Sequence, residues 1–238
     1  MPDPITISVR ALAYGGKFVG SHVGFANIAI YGPGDPTTPL ASGLANQGLV
    51  AGTDGSGVVS FIMGQPYPWG YPVRADEATE FTVQIALTEP TVLTFVATSE
   101  ADPRISTSVS RLMLPNVSST GATGVVLVLQ GLLAGLTAPA AKASIAAGTP
   151  TTITAQVRMM CGCLIDNLFW PAGNFNVQAV ITDAGGNASL LPLTYNGNPS
   201  YFSADYTFPE PGVYQIGVAA TEMNGNAGSA PPTTFEVR

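Results

Sequence analysis

Charge is what this sequence has least of. Aspartate, glutamate, lysine and arginine make up 10% of its 238 residues, against about 25% in an ordinary soluble domain. Eight basic residues face fifteen acidic ones for a formal net charge of −7, and no run of basic residues occurs. Nucleic acid is therefore not an expected partner, because phosphate binding needs clustered cations. A single histidine, His22, leaves little room for catalysis by a histidine base or for a multi-imidazole metal centre. Cysteine is confined to Cys161 and Cys163, so a four-cysteine zinc site is excluded. Long hydrophobic runs are missing too: the most apolar window, residues 125–136, is interrupted by Gln130, Gly131 and Gly135. It is too short to cross a bilayer as a helix, and no transmembrane segment is expected.

What is present is 46% hydrophobic residues together with 27 Gly and 20 Pro. Chains this apolar fold, and glycine without an every-third period is not collagen. Helical periodicity is almost absent, while short β-branched or aromatic runs bounded by Gly, Pro, Asn and Asp recur throughout. These runs predict strands at 5–12, 26–31, 49–51, 58–63, 81–87, 92–98 and 105–114, enough for one sandwich. A second series is predicted at 125–129, 143–145, 151–160, 175–182, 189–195, 201–208, 212–221 and 233–237. The fold expected is all-β, two β-sandwich domains in tandem, over residues 1–115 and 125–238. Between them, 116–124 has a linker's composition of turn formers with one apolar side chain. The run Val125-Val-Leu-Val-Leu129 is apolar on both faces and calls for burial on both.

Two stretches carry family resemblances. Pro39-Leu-Ala-Ser-Gly43, then Thr53-Asp-Gly-Ser-Gly57 and Val58-Val-Ser-Phe61, resemble transthyretin-like or carboxypeptidase-regulatory-like domains. That resemblance implies a small, commonly non-catalytic sandwich for the first half. Phe208-Pro-Glu-Pro-Gly-Val-Tyr214, Thr221-Glu-Met-Asn-Gly-Asn-Ala-Gly228 and Thr234-Phe-Glu-Val237 are similar to the end of bacterial immunoglobulin-like domains. There the Pro-Gly-x-Tyr corner starts the penultimate strand, and Gly-Asn-x-Gly turns into the last. The resemblance implies an immunoglobulin-like second half and no activity.

Met159-Met-Cys-Gly-Cys163 is the one concentrated chemical signal. On a strand, alternate residues share a face, so Met159, Cys161 and Cys163 would set three sulfurs in one row. Soft thiolate and thioether ligands select copper(I). Plain packing and a disulfide are the competing readings of the same segment. Tyr67, Trp69 and Tyr71 alternate with Pro66, Pro68, Gly70 and Pro72, a stiff aromatic loop suited to a protein partner or to sugar rings. Asp76, Glu77 and Glu80, or Glu100 with Asp102, are acids that could pair, although loop acids are usually just solvated. Lys142 with Asn224 and Asn226 resembles the arrangement of isopeptide-forming adhesin sandwiches, with no buried acid assignable.

Something other than water is expected to cover part of so uncharged a surface. Met-Pro-Asp-Pro leads directly into the alternating Ile5-Thr-Ile-Ser-Val-Arg10, as in a mature or a cytosolic chain, and the composition, with two Lys and abundant Thr, Asn and Gly, points to an exported protein whose leader is absent from this chain. The expectation is a non-catalytic structural or assembly subunit of an extracellular or cell-surface structure, a homo-oligomer or polymer needing no cofactor. A copper(I) binder using Met159, Cys161 and Cys163 is the alternative. A carbohydrate-binding module using the aromatic loop is a further one.

Overall fold

The computed structural model describes residues 3–15, 19, 24–46, 58–59, 73–74, 80–166 and 170–238, the pairs at 58–59 and 73–74 by backbone alone. The protein is all-β. It divides into two compact units, one of Met1–Gln130 with Met160–Gly162 and one of Gly131–Met159 with Cys163–Arg238. Among the described residues no helix is long and apolar enough to cross a membrane.

In the first unit, β1 (Ile5–Ala13), β6 (Glu80–Ile85) and β9 (Val125–Leu129) form a three-stranded sheet in the order β6-β1-β9. A second sheet is ordered β3-β2-β7-β8, from β2 (Ala26–Tyr31), β3 (Ala41–Leu44), β7 (Thr91–Ser99) and β8 (Ser106–Met113). Strands β4 (Val58–Val59) and β5 (Val73–Arg74) pair with each other. All these pairings are antiparallel except β1 with β9. Alternation sets the core: Ile5, Ile7 and Val9 from one sheet and Ile28, Leu93 and Phe95 from the other are at most 1% exposed. Each such side chain contributes about 1.5–3 kcal/mol by leaving water. The sheets approach closely where Gly43 meets Phe81, since a Cβ on Gly43 would lie 2.5 Å from the ring.

The boundary differs from the sequence expectation. Strand β9 belongs to the first unit, paired in parallel with β1 from Val9↔Val125 to Ala13↔Leu129. The stretch read as a linker is already fastened to the same strand, with Ser8 N donating to Ser119 O at 2.9 Å and Ser119 N to Thr6 O at 2.8 Å. The two faces of β9 are also unequal: Val125, Leu127 and Leu129 are buried, whereas Val126 is 45% exposed. The backbone needs of β1 decide this, because the edge that β6 leaves open is satisfied by β9, a strand far along the chain.

In the second unit, β10 (Leu132–Ala138), β11 (Pro150–Met159) and β14 (Tyr201–Thr207) lie side by side. Opposed to them, β12 (Phe175–Thr182), β15 (Gly212–Glu222) and β16 (Ala227–Val237) pair in that order. Strand β13 (Ala188–Tyr195) pairs with β12 along most of its length and with β14 at Thr194 and Tyr195, joining the two sets. This is the seven-stranded immunoglobulin-like layout. Its tyrosine corner is present: Tyr214, early in β15, donates its hydroxyl proton to Glu210 O at 3.1 Å. Rings at Tyr206, Phe208 and Tyr214 stack edge-to-face with centroids 4.9 Å apart in each successive pair. Residues 143–145 do not make a strand; Ile145 forms a single parallel bridge to Val237. Strand β10, which sequence reading did not anticipate, is Leu-Leu-Ala-Gly-Leu-Thr-Ala, weak in β-formers and held by its pairing with β11.

Candidate functional site

The sulfur segment is a turn, not a strand face. Strand β11 ends at Met159, whose N–H donates to Cys163 O at 3.2 Å, and Arg158 bridges Leu164 as the chain returns. Gly162 sits at φ +77°, a left-handed conformation that glycine adopts without strain and that reverses the chain here. Strand alternation is lost at the turn, so Met159, Cys161 and Cys163 do not form the single row on which the copper reading rests. Met159 and Cys161 are buried and Cys163 is half-buried. Among the described residues no group of three His, Cys, Asp or Glu side chains converges. Tyr67, Trp69 and Tyr71, like His22, Asp76 and Glu77, lie outside the described residues.

The remaining acids are each engaged separately. Glu80 Oε2 takes Arg10 Nε and Nη2 at 3.2 and 3.1 Å. Glu100 Oε2 accepts Phe25 N at 2.9 Å, and Asp102 binds Arg104 at 2.7 Å. The hydrogen bond from the Arg104 side chain holds the Asp102 carboxyl below its ordinary value. Lys142 is exposed on a turn at φ +67°, whereas Asn226 is fully buried. Asn226 Nδ2 donates to Glu222 Oε2 at 2.6 Å, and its Oδ1 accepts Gly131 N at 3.2 Å. The buried acid that the sequence did not reveal is thus Glu222, and it locks the β15–β16 hairpin to β10 through asparagine. Its signal was an acid closing an apolar alternating strand, with Asn two and four residues later.

A different feature has the character of a functional surface, the outer face of the four-stranded sheet in the first unit. Residues 93, 95, 97 and 99 of β7 point into the core, so Val92, Thr94, Val96 and Thr98 point out. Opposite them in register stand Leu112, Ser110, Ser108 and Ser106 of β8. Thr94 and Ser110 join hydroxyls at 2.9 Å, and Asn27, Ala29 and Tyr31 of β2 continue the face. None of the side chains that these strands present there is charged. Val92 and Leu112, directly opposed, are 49% and 56% exposed, and Leu114 and Val117 just beyond β8 are similarly uncovered. Strand β8 is exposed along nearly its whole length. Sequence reading located β8 but not its role. The signal was its lack of apolar alternation, Ser-Thr-Ser-Val-Ser-Arg-Leu, which marks a strand wetted on both faces.

No family model matches the chain, and no curated protein matches it. Among solved structures, the major pilin subunit BcpA of Bacillus cereus is similar over 98% of this chain and 69% of its own, at 6% identity and a TM-score of 0.38. The fibronectin(III)-like modules of Clostridium thermocellum CbhA match over 97% of this chain and 89% of theirs, at 13% identity and a TM-score of 0.30. An engineered protein matches over 50% of this chain at 20% identity and a TM-score of 0.34, and the chain spans 23% of that protein's length.

Proposed function

We propose that the chain is a non-catalytic structural subunit that associates with copies of itself in an extracellular or cell-surface structure. The observation that carries this reading is the uncharged outer face of the β3-β2-β7-β8 sheet, with Val92 and Leu112 half-exposed at its margin. Exposed apolar side chains on an uncharged surface mark contact sites. The low charge of the whole chain supports the same reading. A surface polar through Ser, Thr and Asn rather than Lys and Glu is in keeping with export. The first unit we read as transthyretin-like: its first strand runs parallel to its last and antiparallel to β6, opposite a four-stranded antiparallel sheet.

The test is sedimentation velocity and electron microscopy of the purified chain over a wide concentration range. Growth of the weight-average mass with concentration, into species of repeating mass, is expected. A monodisperse monomer at every concentration overturns the proposal.

A further inference from the structure

We infer that Asn196 is a site of spontaneous covalent modification: the backbone nitrogen of Gly197 attacks its side-chain amide, ammonia leaves, and water converts the residue to aspartate and isoaspartate. The inference does not depend on self-association. It follows from which asparagines precede glycine and from how the fold holds them.

A side-chain amide closes on the next backbone nitrogen most readily when the next residue is glycine, because no Cβ crowds the five-membered ring. Only Asn196 and Asn224 precede glycine in this chain. Both asparagines are exposed, and their glycines have nearly the same backbone, with φ +93° at Gly197 and +94° at Gly225. Sequence and exposure therefore rank the two equally.

Hydrogen bonding separates them. In the turn between β15 and β16 both reacting groups are tied to Glu222: Gly225 N donates to its carbonyl oxygen at 2.9 Å, and Asn224 Nδ2 donates to its Oε1 at 3.3 Å. Met223 N donates to Asn174 O at 3.0 Å and pins the same turn. Asn196 stands in the turn between β13 and β14, and there neither Gly197 N nor Asn196 Nδ2 has a hydrogen-bond partner among the described residues. Its Oδ1 accepts Asn198 N at 3.0 Å, which draws electrons from Cγ and favours attack on it. A Cβ on Gly197 would meet nothing within 4 Å, so nothing packed on the glycine opposes the swing of its peptide toward Cγ.

The reaction is a transfer of acyl carbon without oxidation or reduction. A base from solvent takes the Gly197 N–H proton, the N–Cγ bond forms, the Cγ–Nδ2 bond breaks, and Nδ2 leaves as ammonia with a proton from water. One water then opens the ring at either carbonyl, so that asparagine and water become an acid and ammonia. The product adds a negative charge to the net −7. Isoaspartate also lengthens the backbone immediately after Tyr195↔Phe202, one of the two pairs by which β13 meets β14.

The test is to hold the folded chain in mildly alkaline buffer made with heavy-oxygen water and follow both sites by peptide mass mapping. A chain kept unfolded in urea serves as the control, and incubation continues until it has reacted at both. Label should enter at Asn196 about tenfold faster than at Asn224 in the folded chain, since two hydrogen bonds must open at the latter, and at similar rates in urea. Asn196→Gln should remove the first acidic band that appears on isoelectric focusing. Equal rates in the folded chain, an earlier reaction at Asn224, no reaction at Asn196, or persistence of that band in the variant overturns the inference.

Discussion

Arg10 and Glu80 sit directly opposite each other in the register of β1 and β6, and the arginine grips one carboxylate oxygen with Nε and Nη2 at 3.2 and 3.1 Å. Their side chains are only 8% and 15% exposed. Arg10 Nη1 also donates to Gly121 O at 3.3 Å, and Thr82 Oγ1 donates to Glu80 Oε1 at 3.2 Å. The pair therefore ties three segments of the first unit into one polar seam: β1, β6 and the turn before β9. Removing one partner leaves a largely buried charge uncompensated. Arg10→Ala should cost about 3 kcal/mol, the low end for breaking a buried pair, read from urea denaturation midpoints. Glu80→Gln, which keeps hydrogen-bonding capacity, should cost less. Equal and negligible losses for both would show the pair to be solvated in solution.

Tyr214 is bonded through its hydroxyl to Glu210 O in the corner that leads into β15. Tyr214→Phe keeps the ring against Phe208 and deletes only that bond. A loss of about 1 kcal/mol is expected, with the β-sheet circular dichroism unchanged. A loss several times larger would mean that the corner itself had rearranged.

Two glycines mark close approaches of different rigidity. A Cβ on Gly228 would collide with the backbone of Leu132 in β10, whereas one on Gly43 would meet the Phe81 ring. A ring can shift and a paired backbone cannot. Gly43→Ala should therefore cost about 1–3 kcal/mol, as overpacking does, and Gly228→Ala more. Thermal unfolding of the two variants checks the order, and the reverse order would contradict the packing described.

Acid should weaken the fold through specific turns. Asp102 is held below its ordinary value by the Arg104 hydrogen bond, and Asp183 chiefly by the side-chain hydrogen bond from Asn187. For groups depressed in the folded state, the stabilisation is complete above the unfolded value of 3.8 and is lost as pH falls through the lower folded value. Thermal midpoints should thus hold steady down to about pH 4 and decline below it. Asp102→Asn should lower the plateau slightly and flatten the decline.

The existence of most strands was written locally. Short β-branched or apolar runs at 26–31, 125–129 and 175–182 give the observed bounds of β2, β9 and β12 without adjustment. Strand β10 escaped, because Ala and Gly carry no periodic signal of their own and the strand is held by partners elsewhere in the chain. The sulfur row failed for a related reason. Spacing of i, i+2 and i+4 says nothing about whether the backbone stays extended, and at Gly162 it reverses.

What the sequence alone determined is the class of fold, the alternating core residues and the tyrosine corner, since each depends on neighbours within a few positions. Only the tertiary structure decided that β9 completes the first unit by pairing with β1, 116 residues earlier at Val9↔Val125. It also decided that Asn226 bonds to Glu222 while Lys142 stands on an exposed turn, and that β8 is, among the described residues, an edge strand. Backbone hydrogen bonds are satisfied by whichever strand the folded chain brings alongside, and composition carries no record of which one that is.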